Sequence, residues 1–504
     1  MNEQKWTEEQ RKIIKDTNNL IVSASAGTGK TFVITQKIEY EIQLNKSFQK
    51  IAALTFTNKA ADELNSRLKR NNEGNFIGTI HNFVLYEIIN PFFKDVYDIN
   101  YEGNLSYSTK LKFYTFEDGI KDLKSGEVGN YYDAKKSYIF DLGLKIIINS
   151  KACQLFLQAK YYKIFIDEYQ DCDISMNKFF LYILEKLHIP LVIVGDEKQS
   201  IYSWRGADPS LFKSLLNSKK FKKYQLTVNF RCGISIQNYA NLIFGYKTNP
   251  YKDTNDRNVL FIVADQSDDA ILDILSYCEK DASLAILTRS NNKVKSIGNS
   301  LNKNNIDCAI IQKSPVETFQ NKDSYIYVLI AKYLIVEGYS EYDFAEEIDL
   351  ENRYSDISIE ELRIRLLKLV KEDNQNRKNS VSLILDLFKL NLNEELYMKL
   401  EETINNHIFH YGFNIKHYKN AVMTIHAAKG LEYDQVILFA DDFNFESLES
   451  RELHYVAATR AKLKLIIIAH NNFNSNKFWK YLKSRSESEG IKLDKIIKLV
   501  KLKR

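Results

Sequence analysis

The sequence predicts an α/β protein in which parallel sheets are wrapped by helices and interrupted by two mainly helical insertions. Three observations lead there. Short β-branched or aliphatic runs alternate with longer helix-like stretches, the pattern of strand–helix–strand units. The runs end beside Gly, Asp, Ser or Thr, so polar residues collect at the carboxyl ends of the strands, where such sheets hold their ligands. Two regions, 84–159 and 316–415, break the alternation and read as helical.

In chain order, the first run is Leu20–Ser23. It leads through Ala24-Ser25-Ala26-Gly27-Thr28-Gly29-Lys30-Thr31 into the helix-like stretch Lys30–Leu44. Such a turn offers backbone N–H donors, the Lys30 ammonium and the Thr31 hydroxyl to phosphates and Mg²⁺. Ile51–Thr55 is the next strand, followed by a helix over Lys59–Lys69. Residues 84–159 are aromatic and Lys-rich and carry no site motif. Ile164–Asp167 then ends in the pair Asp167-Glu168; an apolar run finishing in two carboxylates suits a buried parallel strand that delivers them to a metal–phosphate site. Together with the loop, this pair implies hydrolysis of a nucleoside triphosphate. Leu191–Asp196, Leu284–Thr288 and Val436–Ala440 complete the strands, and 316–415 is almost wholly helical, as in Ile359–Val370 and Val381–Leu390. The close, 491–504, mixes Lys with Ile, Leu and Val and reads as a closing element or as a nucleic-acid or partner tail. No internal repeat or long low-complexity linker is legible.

Composition sets bounds. With 504 residues, 44% hydrophobic and 27% charged, the chain builds several cores and is not a disordered polymer. A net charge of +5 is too small to demand nucleic-acid binding by itself, so any basic groove is local. The five cysteines (Cys153, Cys172, Cys232, Cys278, Cys308) form no Cys-x-x-Cys pair, which argues against a zinc or iron–sulfur site and a disulfide framework. The polar start Met1-Asn2-Glu3-Gln4-Lys5-Trp6, and the lack of any run near ~18 apolar residues, predict a soluble, cytoplasmic protein with no membrane partner.

The motifs, taken in order, resemble the superfamily 1A DNA helicases of the UvrD/Rep type over nearly the whole chain. The resemblance implies two RecA-like motor domains, 1A (1–83 and 160–228) and 2A (229–315 and 416–504), with helical insertions 1B (84–159) and 2B (316–415). It implies that Lys30 holds the β- and γ-phosphates, that Thr31 and Asp167 serve the Mg²⁺, and that Glu168 orients the attacking water. Gln10, in Thr7-Glu8-Glu9-Gln10, matches the glutamine whose amide pairs with a purine edge. Gln199, in Gly195-Asp196-Glu197-Lys198-Gln199-Ser200-Ile201-Tyr202-Ser203-Trp204-Arg205-Gly206-Ala207, resembles the γ-phosphate sensor, and Tyr202 and Trp204 resemble the base-stacking platform for single-stranded DNA. Arg231, in Asn229-Phe230-Arg231, and Arg460, in Tyr455-Val456-Ala457-Ala458-Thr459-Arg460, match two arginines that reach the γ-phosphate from the second motor domain, which makes cleft closure a condition of hydrolysis. Phe230 takes the adenine-stacking place, and Phe32 stands where many relatives carry a stacking Arg; the alternative for Phe32 is a core position. Ala24 replaces the first glycine of the general loop. Phe56, Thr57, Asn58, Thr79 and His81 match DNA contacts of the first motor domain. Thr424 and His426, in Met423-Thr424-Ile425-His426-Ala427-Ala428-Lys429-Gly430-Leu431-Glu432, match those of the second, and Glu432 matches a ribose contact.

The short insertions, with Gly74–Thr79 and Tyr162–Asp171, also resemble the helicase-like subunits of bacterial Gabija anti-phage systems. That resemblance implies an OLD-family ATPase–nuclease partner with a TOPRIM domain and activation by single strands or DNA ends; ATP is the expected fuel, and a base held between the apolar faces of Phe32 and Phe230 adds GTP or deoxynucleoside triphosphates as further candidates. An autonomous 3′–5′ repair helicase and a non-hydrolysing DNA-binding scaffold are the alternatives. The full set Lys30, Asp167, Glu168, Gln199, Arg231 and Arg460 speaks against the scaffold.

Overall fold

The computed structural model describes residues 6–68, 74–247, 249–264, 270–318, 324–348, 350, 354, 356–372, 376–470 and 473–501. The expected helix end Lys69, the start Met1–Lys5 and the last three residues of the tail lie outside them. The chain divides into two compact units: residues 1–264 with 440–504, and residues 265–439.

In the first unit, α1 (Glu8–Lys15) precedes strand β1 (Leu20–Ala24), and the phosphate-loop sequence connects β1 to α2 (Lys30–Leu44). Strand β2 (Lys50–Thr55), α3 (Asn58–Arg67), β3 (Phe76–Thr79) and α4 (Ile80–Val84) follow. Strands β4 (Ser106–Phe113) and β5 (Glu127–Tyr131) stand apart, and β6 (Tyr161–Ile166), β7 (Leu191–Gly195) and β8 (Lys222–Leu226) return to the sheet. The six-stranded sheet has the order β3-β2-β6-β7-β1-β8, with every neighbouring pair parallel. β7 lies between β6 and β1. The turn leaving β7 therefore stands between the carboxylates that leave β6 and the loop that leaves β1, so strand order alone gathers three site segments.

A buried charge cluster fixes α2 against β6. Glu41 Oε1 accepts from Lys37 Nζ at 2.9 Å and from Lys163 Nζ at 2.6 Å, and Lys163 Nζ also donates to the Thr17 carbonyl at 2.9 Å. All three charged side chains are buried. Removing one partner from such a cluster leaves an uncompensated charge, at a cost of about 3–5 kcal/mol. The brace joins the helix that begins at Lys30 to the strand that ends before Asp167.

Strands β9 (Val259–Ala264), β14 (Ala461–His470) and β15 (Lys498–Lys501) complete the first unit; β9 pairs in parallel with both of the others. The tail thus enters as a closing strand. The second unit contains β10 (Leu284–Thr288), β11 (Ala309–Ile310), β12 (Asn420–Thr424) and β13 (Tyr433–Phe439), paired in parallel in the order β11-β12-β10-β13. Its helices from Ser324–Ile335 to Glu394–Asn405 close over their own apolar core, with Tyr327, Ile330, Leu362, Leu366, Ile384 and Leu400 at its centre. The six expected strands are all present.

Three results differ from the sequence reading. The insertion 84–159 contains the parallel ladder of β4 and β5 beside its helices. Along Ser106–Phe113 the apolar Tyr107, Leu111 and Phe113 fall on alternate positions, a period of two that the surrounding aromatic helices obscure. Secondly, 229–264 and 440–504 pack in one unit with the phosphate loop, a contact that no motif announced: β9 pairs with β14 and β15 while 229–231 hydrogen-bonds to the loop. Thirdly, a local repeat exists. In the first unit Thr55 pairs with Thr79; in the second, Thr288 pairs with Thr424. Thr79-Ile80-His81 and Thr424-Ile425-His426 are identical, and Thr55-Phe56-Thr57-Asn58 answers Thr288-Arg289-Ser290-Asn291.

Candidate functional site

Ala24 is the last residue of β1, fully buried and in register with Leu226. A methyl group suits an extended position, which explains why the missing first glycine is harmless. Gly27 and Gly29 have φ of 74° and 81°, the left-handed region that only glycine enters freely. A Cβ on Gly27 would also stand 2.6 Å from Asn229 Oδ1 and 2.9 Å from Arg231 Cβ. The loop carbonyls point outward: Ala26 O accepts from Asn229 Nδ2 at 2.8 Å and Gly27 O from Phe230 N at 2.8 Å. Ser25 and Thr28 follow suit, with Ser25 O accepting from Thr28 Oγ1 at 2.8 Å and Ser25 Oγ from Asn249 Nδ2 at 3.2 Å. Gly29, the N-cap of α2, brings no side-chain cap, so the first helical N–H groups keep their donor capacity and positive dipole end.

Lys30 Nζ is buried and makes no hydrogen bond, and the nearest opposite charge, Glu168 Oε2, is 3.8 Å away. A desolvated ammonium without a hydrogen-bond acceptor is costly, so the cradle suits a polyanion. Lys30 with the loop amides would hold the phosphates, and Thr31 with Asp167 the magnesium. When bound, the metal supplies neutralisation of the charge developing on the phosphate oxygens. Glu168, the residue that would orient water, adopts φ 55°, a left-handed conformation worth about 1–3 kcal/mol of strain for a side chain of this kind. Its N–H donates to Asp167 Oδ1 at 2.9 Å, and its carboxylate accepts from Gln170 Nε2. Gln170 Oε1 in turn accepts from Asp196 N at 2.9 Å, and Asp196 Oδ2 accepts from Gln199 Nε2 at 2.6 Å. Gln199 and Glu168 are therefore two ends of one hydrogen-bonded network.

Arg231 Nη1 donates to Thr459 O at 3.3 Å; Arg460 Nε donates to Val456 O at 2.9 Å and its Nη2 to Thr459 Oγ1 at 3.3 Å. Arg460 is fully buried. Burial first, and Arg231 second, disfavour its charge, while Glu168 acts in the opposite sense. A triphosphate bound at the loop would bring negative charge to these two guanidinium groups. Both arginines belong to the same compact unit as the loop.

Phe32 and Phe230 are 37% and 59% exposed, so Phe32 is not core and both rings are free to stack. Gln10 is buried beside the loop, its Nε2 3.5 Å from where a Cβ on Gly29 would lie. Its Oε1 also accepts from Thr7 N at 3.1 Å, while Thr7 Oγ1 accepts from Gln10 N at 3.2 Å: a capping box, whose Thr-x-x-Gln signature is plain in Thr7-Glu8-Glu9-Gln10. The neighbouring Glu9 accepts from Thr227 N and Oγ1 at 2.9 and 2.6 Å, tying α1 to the segment that leads to Phe230 and Arg231.

On the proposed strand-binding side, Trp204 is 56% exposed. Arg205 lies over its ring at 4.4 Å and over Tyr202 at 5.4 Å, which sets a cation against the aromatic pair. Trp204→Ala is expected to weaken single-stranded DNA binding by about 1–3 kcal/mol, measured by oligonucleotide anisotropy; unchanged affinity removes Trp204 from the platform. Phe56 is half-buried against the core of the sheet, and Asn58 is exposed at the start of α3. Thr57, Thr79 and Thr424 each accept from the N–H three residues on (Ala60, Asn82 and Ala427, at 3.2, 3.2 and 3.3 Å), which leaves each hydroxyl proton free to donate to a phosphate. The His81 ring packs on Phe140 and Tyr107 at 5.2 and 5.4 Å, and burial lowers its pKa to about 4. With its pKa so lowered the ring is neutral near pH 7, so a contact with the DNA backbone would gain no cation from it. Thr424, His426 and the exposed Glu432 lie in the second unit. Glu41, Lys163 and Ser290 had no role in the sequence reading, while Gln170 and Arg205 stood inside its quoted motifs without a contact of their own. Of the first three, Ser290 had a signal there: the Thr-x-[Ser/Thr]-Asn pattern shared with Thr55–Asn58.

A family profile described as "AAA domain" matches residues 9–205, and one described as "UvrD-like helicase C-terminal domain" matches residues 420–468. The chain is 37% identical to the Gabija protein GajB of Bacillus cereus (strain VD045) over 507 aligned residues, covering 97% of this chain and 100% of that protein. The chain belongs to the GajB family. It is similar as well to a probable DNA helicase of Mycoplasma pneumoniae, at 24% identity over 93% of this chain and 84% of that one, and to DNA helicase II of Haemophilus influenzae, at 26% over 46% and 39%. This GajB-family protein is a UvrD-like helicase-type motor that uses nucleotide and Mg²⁺. Among the described residues, no helix is long and apolar enough to cross a membrane, and no cluster of His, Cys, Asp or Glu could hold a further metal ion.

Proposed function

We propose that this chain is the DNA-sensing, DNA-stimulated NTPase of a bacterial Gabija complex, acting in the cytoplasm with an OLD-family ATPase–TOPRIM nuclease subunit. One observation carries the reading. A single segment bears Gln199, buried in the network of Glu168, and, five residues on, Trp204, exposed for stacking. Chemistry and strand contact share one piece of backbone, so the state of one bears on the other. In this reading 1–83 with 160–228 form the first motor domain and 229–315 with 416–504 the second, the insertions being 84–159 and 316–415; Arg231 and Arg460 then act from the second. The partner is proposed from the likeness to GajB along its whole length.

The test is turnover by the purified protein with single-stranded, blunt and tailed DNA. Strong stimulation without strand displacement supports the sensor; efficient solitary unwinding supports the repair-helicase reading, which the likeness to DNA helicase II keeps in view. Failure of any nuclease subunit to co-purify from the native operon removes the partner. The exposed faces of Phe32 and Phe230 carry no charge and no hydrogen-bonding group to sort bases, which leaves that task to the Gln10 amide, whose oxygen already accepts from Thr7 N. Accordingly, kcat/KM for ATP and GTP is expected to differ by less than about tenfold, with deoxynucleoside triphosphates also accepted. A strict ATP preference in steady-state kinetics contradicts this.

A further inference from the structure

Gln170 has no exposed surface and is held at three atoms. Its Oε1 accepts from Asp196 N at 2.9 Å, its Nε2 donates to Glu168 Oε2, and its carbonyl accepts from Ser200 Oγ at 3.3 Å. Asp196 and Ser200 both belong to the segment that runs from β7 to Trp204. Gly195 leaves the space for this arrangement: a Cβ there would stand 2.8 Å from Gln170 Oε1 and 3.0 Å from the Phe212 ring. A primary amide carries its acceptor and its donors in one rigid plane. A movement of the Asp196–Ser200 turn that displaces the acceptor end must therefore turn the donor end against Glu168. Glu168 is itself held in a strained left-handed conformation, so the direction of its carboxylate depends on its tethers.

We infer that Gln170 is the positioning residue that couples occupancy of the Tyr202–Trp204 platform to the orientation of Glu168, an inference that rests on the DNA-stimulated reading above. Gln170 acts through Glu168. Because Asp196 also holds Gln199, one residue tethers the γ-phosphate sensor and, through Gln170, the water-orienting carboxylate.

The experiment compares Gln170→Met, which keeps the length and loses the amide, with Gly195→Ala, which crowds the amide while leaving it in the chain. Turnover is measured with and without saturating single-stranded DNA, and oligonucleotide affinity is measured separately. Both variants are expected to bind the oligonucleotide within about twofold of wild type, while the stimulation ratio falls by about tenfold, in kcat and not in KM. Adding Trp204→Ala to Gln170→Met is expected to lower the ratio no further, the signature of two residues on one route. If Gln170→Met melts early, Gly195→Ala carries the same expectation. Turnover that falls equally with and without DNA overturns the coupling alone, since Gln170 then merely holds Glu168 in place. A wild-type protein that DNA does not stimulate overturns both the coupling and the functional reading.

Discussion

Lys30→Ala lowers kcat by about 10³-fold or more while single-stranded DNA binding stays within about twofold, as expected for the loss of a preorganised charge at a phosphate site. The structure supplies the reason for the asymmetry. Lys30 Nζ is buried and unpaired by hydrogen bonds, so its removal costs the folded protein little and costs a bound triphosphate its closest cation. The Trp204 platform depends on other contacts, notably Arg205 over the indole. Steady-state turnover and anisotropy on the same preparation check both halves. Hydrolysis that survives the substitution would falsify the loop assignment.

Arg231→Ala is the second large effect, with kcat expected to fall by about 10³–10⁵-fold, the range for an arginine that meets transition-state charge. Arg231 shares Thr459 with Arg460, which is wholly buried and whose charge Arg231 disfavours. Keeping two like charges this close is costly, and a triphosphate bound at the loop would supply negative charge to both. Arg231→Lys keeps the charge but loses the planar fork, so its rate is expected to remain at least about tenfold below wild type. Single-turnover kinetics with the chain saturated in nucleotide separates this from weaker binding. A rate within tenfold of wild type for Arg231→Ala takes Arg231 out of the chemistry.

How far the sequence speaks depends on what kind of pattern holds each element. The parallel strands were legible because each is an apolar run with a polar end, and the nucleotide cradle because Gly27, Gly29, Lys30 and Thr31 must be consecutive. The ladder of β4 and β5 was hidden because its alternation spans only eight residues in an aromatic, Lys-rich stretch. His81 shows a different limit. Its motif is intact, but whether an imidazole faces a phosphate or a phenyl ring depends on Tyr107 and Phe140, which lie far along the chain. Gln170 was legible as part of the string after Asp167-Glu168, but its contacts were not, for the same reason: its partners Asp196 and Ser200 come from the segment after the neighbouring strand, and no local spacing announces them. The compact grouping of 229–264 with the loop likewise rests on non-local bonds, such as Asn229 to Ala26.

The Thr-Ile-His doublet has a practical consequence. Thr79 and Thr424 occupy equivalent places, each opposite a second threonine on the adjoining strand and each capping the turn that follows. The phosphate loop, by contrast, occurs once. The chain thus carries this capped turn twice and the phosphate loop once. A lesion in one copy comes with a built-in reference in the other, so pairing Thr79→Val with Thr424→Val lets an experimenter ask which half does the holding and which the letting go.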